Sequence, residues 1–174
     1  MGIAYPPAPM DKTTVRMTIM SLAIALGAVV AILFIMRPFG ILCAESAVVV
    51  ATVAAIIVRT WLTRPLGYEV SEDSVRVRRW CWPFGVVNIP LSGLHEVREV
   101  LPDGLPFRRM WRIWAAGRCF GYFGTFWLRG FGFFWMSCTN RDKMVLLRNR
   151  RKFILSPASP GEFVDEVKRR AGIA

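Results

Sequence analysis

Residues 17–36 read MTIMSLAIALGAVVAILFIM, twenty positions without a charged side chain. A helix rises about 1.5 Å per residue, so this run spans roughly 30 Å, the thickness of a bilayer's hydrocarbon layer. Arg37-Pro38-Phe39-Gly40 follows, and a second apolar run then begins at once, which argues against a cleaved signal peptide. We therefore predict an N-terminal two-helix transmembrane hairpin at residues 17–58, with helices at 17–36 and 41–58.

The basic residues around the hairpin predict its orientation. Lys12 and Arg16 precede the first helix, Arg59 and Arg64 follow the second, and Arg37 lies in the turn. This distribution predicts that residues 1–16 and the C-terminus are cytoplasmic, as parts of a multi-pass membrane protein. We expect three residues to act as interface anchors: Arg59, Trp61 and Arg64.

Glu45 is the one ionisable residue within either apolar run. A carboxylate inside a membrane often marks an ion or proton site. Near a helix end it can instead reach the headgroups or pair with Arg37, and we favour this interpretation. The small residues that recur at four-residue spacing in both helices suit close packing, although an Ala-rich segment produces such spacing by chance.

The rest of the chain differs in composition from the hairpin. The whole chain is 54% hydrophobic with a net charge of +11, of which +3 belongs to residues 1–64 and +8 to residues 65–174. Four cysteines without a Cys-x-x-Cys pair and a single histidine, His95, predict no metal site and no cofactor. Because no nucleophile, phosphate-loop or metalloprotease motif accompanies His95, we predict that the chain is not an enzyme.

After Pro65 the apolar pattern alternates, which predicts strands. Val75 and Val77 alternate with Arg76 and Arg78, as on a strand with one buried face. Strands at residues 68–71, 74–80, 86–91 and 95–101 are expected to form an antiparallel meander. Strand signals resume at 125–129 and 131–139, and residues 144–149 and 152–155 are predicted to form a final hairpin.

A C-terminal helix is signalled by Ser159 as the N-cap, Pro160 at the first position and Glu162 in a capping box. Its apolar stripe should pack on the sheet, and Asp165 with Arg169 and Glu166 with Arg170 form opposite charges at i, i+4. The fold class is thus α+β: the hairpin, then about seven strands in an antiparallel split β-barrel at residues 65–171, capped by a C-terminal helix.

Several segments carry a family resemblance. They are Tyr68-Glu69-Val70, Ile89-Pro90-Leu91-Ser92-Gly93-Leu94, Phe120-Gly121-Tyr122-Phe123-Gly124 and Leu155-Ser156-Pro157-Ala158-Ser159-Pro160-Gly161-Glu162-Phe163. Together they resemble the small bacterial pleckstrin-homology (PH) domains that are often attached to transmembrane segments. The resemblance implies a PH-like fold and a binding or scaffolding role, and it carries no catalytic residues.

The chain departs from that family pattern in a basic-aromatic insertion at residues 102–118. Its candidate membrane-contact residues are Phe107, Arg108, Arg109, Trp111, Arg112, Trp114 and Arg118. Arginines can bind lipid phosphates while tryptophans enter the interface. The alternative is a loop whose tryptophans complete the domain core.

Two function classes therefore follow from the sequence. The first is a membrane-anchored interaction or scaffold module, with a membrane-protein partner or a second copy of the chain. The second is an anionic-lipid surface sensor that uses the insertion. The basic cluster Arg148, Arg150, Arg151 and Lys152 could instead bind nucleic acid, but a solvated hairpin turn is the simpler interpretation.

Overall fold

The computed structural model describes residues 2–36, 45–80, 85–101, 105, 107–117 and 120–173. Two helices precede the domain, α1 at Lys12–Met36 and α2 at Glu45–Leu62, and they pack against each other. Within the described residues, one helical stretch, Lys12–Phe34, is long and apolar enough to cross a membrane, while the apolar part of α2, Ala47–Leu62, is shorter. The turn at 37–40 and residues 41–44 lie outside the described residues, so the transmembrane hairpin stays a prediction.

The first sheet has four strands in the order β1-β2-β3-β4, with every neighbouring pair antiparallel. Its strands are β1 Ile3–Tyr5, β2 Pro65–Val70, β3 Ser74–Arg79 and β4 Val86–Pro90. Val75 and Val77 are fully buried while Arg76 and Arg78 point to the other side, which confirms the alternation that the sequence predicts.

The second sheet has six strands in the order β5-β9-β10-β8-β7-β6. Its strands are β5 Glu96–Val100, β6 Trp111–Gly117, β7 Tyr122–Leu128, β8 Gly132–Cys138, β9 Met144–Arg148 and β10 Lys152–Leu155. β9 lies between β5 and β10 and is antiparallel to both, while β10 lies between β9 and β8 and runs parallel to β8. For residues 65–171 we predicted about seven strands, all antiparallel; the described part of this range contains nine, β2 to β10, and the β8–β10 pair is parallel, so the all-antiparallel arrangement is wrong. A closed barrel stays a prediction.

The six-stranded sheet has a core on each face. The first core lies between the two sheets and a C-terminal helix, α3 at Pro160–Ala171, which buries Phe163, Val164 and Val167. At its centre the hydroxyl of Tyr68 donates to the carbonyl of Ser137 at 2.9 Å. The second core lies on the opposite face, where Phe126, Phe134 and Met136 are buried.

The C-terminal helix follows the prediction except in two side-chain contacts. Ser159 stands at the N-cap with Pro160 after it, but the Ser159 side chain makes no cap hydrogen bond, so the capping box is wrong. Arg169 pairs with Glu166 at 2.8 Å instead of Asp165, whereas the Glu166–Arg170 pair is confirmed. Hydrogen bonds from both arginines lower the pKa of Glu166 to about 2.

The N-terminal residues 2–11, here called the strap, belong to the folded domain. Residues 3–5 form β1 on the edge of β2. Further along, the Ala8 N–H donates to the Ser156 carbonyl at 2.8 Å, and the Thr139 hydroxyl donates to the Ala8 carbonyl at 2.6 Å. The sequence predicted only a cytoplasmic location for this segment. A strand of three residues followed by prolines is too short a signal to identify from a pattern.

The strap ends at Asp11, which joins helix and domain. One carboxylate oxygen accepts the Thr14 N–H at 2.6 Å and caps α1, while the other accepts the Arg141 guanidinium at 3.1 Å. Burial raises the pKa of Asp11, but these hydrogen bonds, with one from the Arg141 N–H, outweigh it and lower the pKa overall. One turn later the Phe120 N–H donates to the Thr18 hydroxyl at 2.9 Å. The first turns of α1 are therefore fastened to the domain.

Candidate functional site: an aromatic and basic sheet face

The basic-aromatic insertion divides into two parts with opposite exposure. Its first part covers the second core: Leu105 is buried, and Phe107 and Met110 pack against the same cluster. Its second part forms β6, the edge strand next to β7, where Trp111 is 69% and Trp114 is 80% exposed. The alternative that these tryptophans complete the core is therefore wrong, although that role fits Phe107.

A β-bulge places both tryptophans on one face of the sheet. Trp111 pairs with Trp127 and Trp114 pairs with Thr125, so the register shifts around Ile113. In a regular strand, residues three apart point to opposite faces. The extra residue Ile113 changes the phase, because a bulge sets two residues of one strand against one of its partner.

The exposed tryptophans continue into rows across β7 and β8. Trp111 pairs with Trp127, which pairs with Phe133, and directly paired residues share a face. Phe133 is 64% exposed. This surface, which we call the outer aromatic face, consists of Trp111, Trp114, Trp127, Phe133 and Trp135.

Sequence reasoning missed the β7 and β8 members of this face. Their signal was present, since Phe126-Trp127 and Phe133-Phe134-Trp135 put aromatic residues on both faces of each strand. Such a pattern is typical of a strand with two covered faces. One face of each strand here lies on the second core, and the other holds the outer aromatic face.

The second row of the outer aromatic face leads to the end of α2. Trp135 lies under the Arg79 guanidinium, which is 5.6 Å from the ring centroid. The next residue, Trp80, stacks on Trp61 with centroids 6.4 Å apart. Arg64 in turn lies 4.4 Å from the Trp61 ring. Two of the predicted interface anchors, Trp61 and Arg64, are thus in contact with each other, and Arg59 is exposed on the last turn of α2.

The charge of this region has one sign. Between Asp103 and Asp142 the sequence has six arginines and no acidic residue. Arg109, Arg112 and Arg129 are exposed along or beside β6 and β7. Three other candidates, Arg118 and the side chains of Arg108 and Glu45, lie outside the described part of the structure.

The second basic cluster is partly engaged within the domain. Arg148 pairs with Glu96 at 3.2 Å. The Lys152 ammonium bonds the Phe131 carbonyl and lies 4.3 Å from the ring centroid. These contacts fit the interpretation of the cluster as a hairpin turn.

Catalytic and metal-binding groups are sparse. In the described ranges, no three His, Cys, Asp or Glu side chains gather as metal ligands. Cys138 is fully buried, and burial raises the pKa of its thiol to about 12, so it stays protonated. The remaining cysteines, Cys43, Cys81 and Cys119, lie outside the described residues.

Comparison with known proteins assigns the domain. A family model described as the bacterial PH domain matches residues 66–171, which cover β2 to α3. No curated protein and no solved structure matches the chain significantly. The matched region is more than half of the chain and ends with the capping helix on which the sequence resemblance rested. The chain therefore belongs to the bacterial PH domain family.

Proposed function

We propose that this chain is a non-enzymatic, membrane-anchored PH-like module that acts as an interaction or scaffold subunit at the cytoplasmic face of the inner membrane. The observation that carries the proposal is the attachment of the domain to both helices. Asp11 and Thr18 fasten α1 to the residues around Phe120 and Arg141, while the Trp61–Trp80 stack fastens α2 to β3. These contacts restrict the position and orientation of the domain relative to its two helices.

Attachment at two points suits a module that works at the bilayer surface. A flexible tether would let the domain search the cytoplasm for partners. Here α2 ends at Leu62 and β2 begins at Pro65, so the linker between helix and domain is too short to act as a flexible tether. A partner in or on the same membrane would meet the domain in a restricted orientation, which lowers the entropy cost of binding.

The test is co-purification of the full chain in mild detergent, with identification of the bound proteins and lipids. A stoichiometric protein companion would support the scaffold role. If the chain is found in the membrane fraction but purifies from it without a stoichiometric protein companion, this role is contradicted.

The sidedness of the anchor needs its own experiment. Fusion of a fluorescent protein or an alkaline phosphatase to either terminus should give fluorescence and no phosphatase activity, because both termini are proposed to be cytoplasmic. Phosphatase activity from a terminal fusion would contradict the orientation.

A second candidate function is recognition of anionic lipid. Exposed Trp111 and Trp114, with Arg109 exposed just before β6 and Arg129 exposed just after β7, favour it. Each arginine near an anionic leaflet contributes on the order of 1 kcal/mol, and tryptophan rings favour the headgroup region. In the co-purification experiment, stoichiometric anionic lipid without a protein companion would favour this candidate.

A further inference from the structure

We propose that the outer aromatic face lies flat on the membrane that holds the helices and binds the phosphate groups of anionic lipids. The proposal deepens the second candidate function and rests on the membrane anchor described above. In this proposal the membrane contact is a sheet surface that spans three strands, not an inserted loop. The contact therefore also includes Trp127, Phe133 and Arg129.

The first argument is that this face is incompletely covered. The same side of the six-stranded sheet is covered by the four-stranded sheet over β9 and β10, where Leu147 and Phe153 belong to the first core. Toward β6 the cover ends, and exposure rises from half-buried Trp135 to Phe133, Trp111 and Trp114. A sheet face this apolar requires a further layer.

The second argument is position. The end of α2 reaches the domain at this face, whereas α1 reaches it at Phe120, near the start of β7 and away from the Trp127–Phe133 pair. The chain of contacts Trp61–Trp80 and Arg79–Trp135 joins the end of α2 to the outer aromatic face itself. A surface that continues directly from the end of a membrane helix meets the headgroup region first.

The third argument is charge. Arg109 and Arg129 are exposed just before β6 and just after β7, at the ends of this surface, whereas Arg112 pairs with buried Phe126 and so lies on the opposite face. No carboxylate occurs in the surrounding sequence from residue 104 to 141. A second copy of the chain would bring arginines against arginines, which is unfavourable. Lipid phosphates match the guanidinium groups, and the tryptophans suit the depth just below them.

The chemistry of the contact follows from these side chains. Guanidinium groups form paired hydrogen bonds with phosphate oxygens, so the lipids should be anionic rather than zwitterionic. The aromatic rings add apolar area at the level of the glycerol backbone. Since the helices hold the domain in place, docking is an intramolecular equilibrium, and modest contacts are sufficient.

The experiment measures the depth of the face on the full chain. A nitroxide is attached at Phe133→Cys, after Cys43, Cys81 and Cys119 are replaced by Ser, in vesicles of phosphatidylglycerol and phosphatidylcholine. We expect the nitroxide at Phe133→Cys to collide with oxygen, which dissolves in lipid, and to be shielded from a water-soluble nickel complex. Asp165 is exposed on α3, so a nitroxide at Asp165→Cys is the matched control and should be accessible to the nickel complex.

The lipid requirement is tested with the same label. In vesicles of phosphatidylcholine alone the shielding should fall, and Arg109→Gln or Arg129→Gln should each lower the ratio of docked to undocked domain roughly fivefold. Shielding that is equal in both vesicles and in both variants would overturn the role of lipid phosphate.

A label at Ile24→Cys on α1 separates this inference from the anchor. If position 24 lies in lipid and position 133 is open to the nickel complex, the docking proposal fails while the anchor stands. If position 24 is also open to the nickel complex, the anchor and the docking both fail. Shielding of position 133 from both reagents, with a second label close by in spin-distance measurements, would show a second copy on the face and overturn the proposal.

Discussion

The two edge strands of the six-stranded sheet, β5 and β6, differ in what surrounds them. On β5, Glu96 pairs with Arg98 at 2.7 Å and with Arg148 at 3.2 Å, and α3 packs alongside. On β6, Trp111 and Trp114 are exposed, and the sequence from residue 104 to 141 contains arginines but no acidic residue. Charged, covered edges resist pairing with other molecules, whereas an exposed apolar edge invites contact. The β5 side is therefore suited to stability, and the β6 side is the one that we propose for binding.

The largest effect should come from the covered side. Phe163 is fully buried and contacts Tyr5 of the strap at 5.3 Å between ring centroids. Phe163→Ala should lower the free energy of unfolding by about 3 to 5 kcal/mol, because it leaves a cavity under α3. Chemical denaturation of the full chain in detergent measures it. Phe133→Ala is the matched control and should change stability by less than about 0.5 kcal/mol. Equal losses would remove the distinction between the two sides.

Gly124 tests the attachment of β6. It has φ of +115°, and a Cβ there would overlap the carbonyl oxygen of Trp114 and the backbone of Ala115. Gly124→Ala should therefore cost about 2 to 3 kcal/mol and loosen β6 from β7. Hydrogen exchange along β6 is the measurement.

Gly130 provides the control for that substitution. It also has positive φ, at +83°, but its Cβ would meet no atom within 4 Å. Gly130→Ala should cost only the conformational strain, about 1 kcal/mol, and leave exchange in β6 unchanged. Faster exchange of β6 in both variants would show that backbone strain, and not the close approach of two strands, is responsible.

A substitution at Asp11 tests the contact between the domain and the first turn of α1. Asp11→Asn should lower the free energy of unfolding by about 2 kcal/mol near neutral pH, since it weakens the cap and the Arg141 pair. The lowered pKa of Asp11 means that its contribution is complete above the ordinary value of 3.8 and is lost as the pH falls through the folded-state pKa. Denaturation between pH 7 and pH 2, values that bracket this range, should show a smaller acid dependence in the variant. An unchanged acid dependence would contradict the assignment.

The smallest effect on stability should come from β6 itself. Replacing Trp111 and Trp114 by Ser should change the free energy of unfolding by no more than about 0.5 kcal/mol each, because both rings are exposed. The same variant should open the label at Phe133→Cys to the nickel complex. A large loss of stability, with the label still shielded, would reverse the roles assigned to the two edges.

Local patterns predicted most of the elements. The alternation around Val75 and Val77, the apolar run at residues 17–36 and the Pro160 start of the last helix were all found at or near their predicted positions. The β1 strand and the β6 strand were not predicted. The first has three residues, and the second contains a bulge that breaks the alternation on which the prediction depends.

The candidate site was predicted in part. Trp111 and Trp114 were identified because basic and aromatic residues alternate in the insertion. Trp127 and Phe133 were not, since their role depends on which strands are neighbours. The opposite fate of Phe107, which packs on the second core, depends on where the short 3-10 turn at Phe107–Arg109 meets the sheet.

By itself, the sequence determined most of the element types, the basic charge of the domain and the family, because periodicity, composition and local motifs are properties of neighbouring residues. Tertiary structure decided the parallel β8–β10 pair, the strap on β2 and the fastening of α1 through Asp11. It also brought Trp61 to Trp80 and Trp111 to Phe133 across the sheet. These contacts join residues far apart in the chain, and their energies depend on burial and pairing that no local pattern contains.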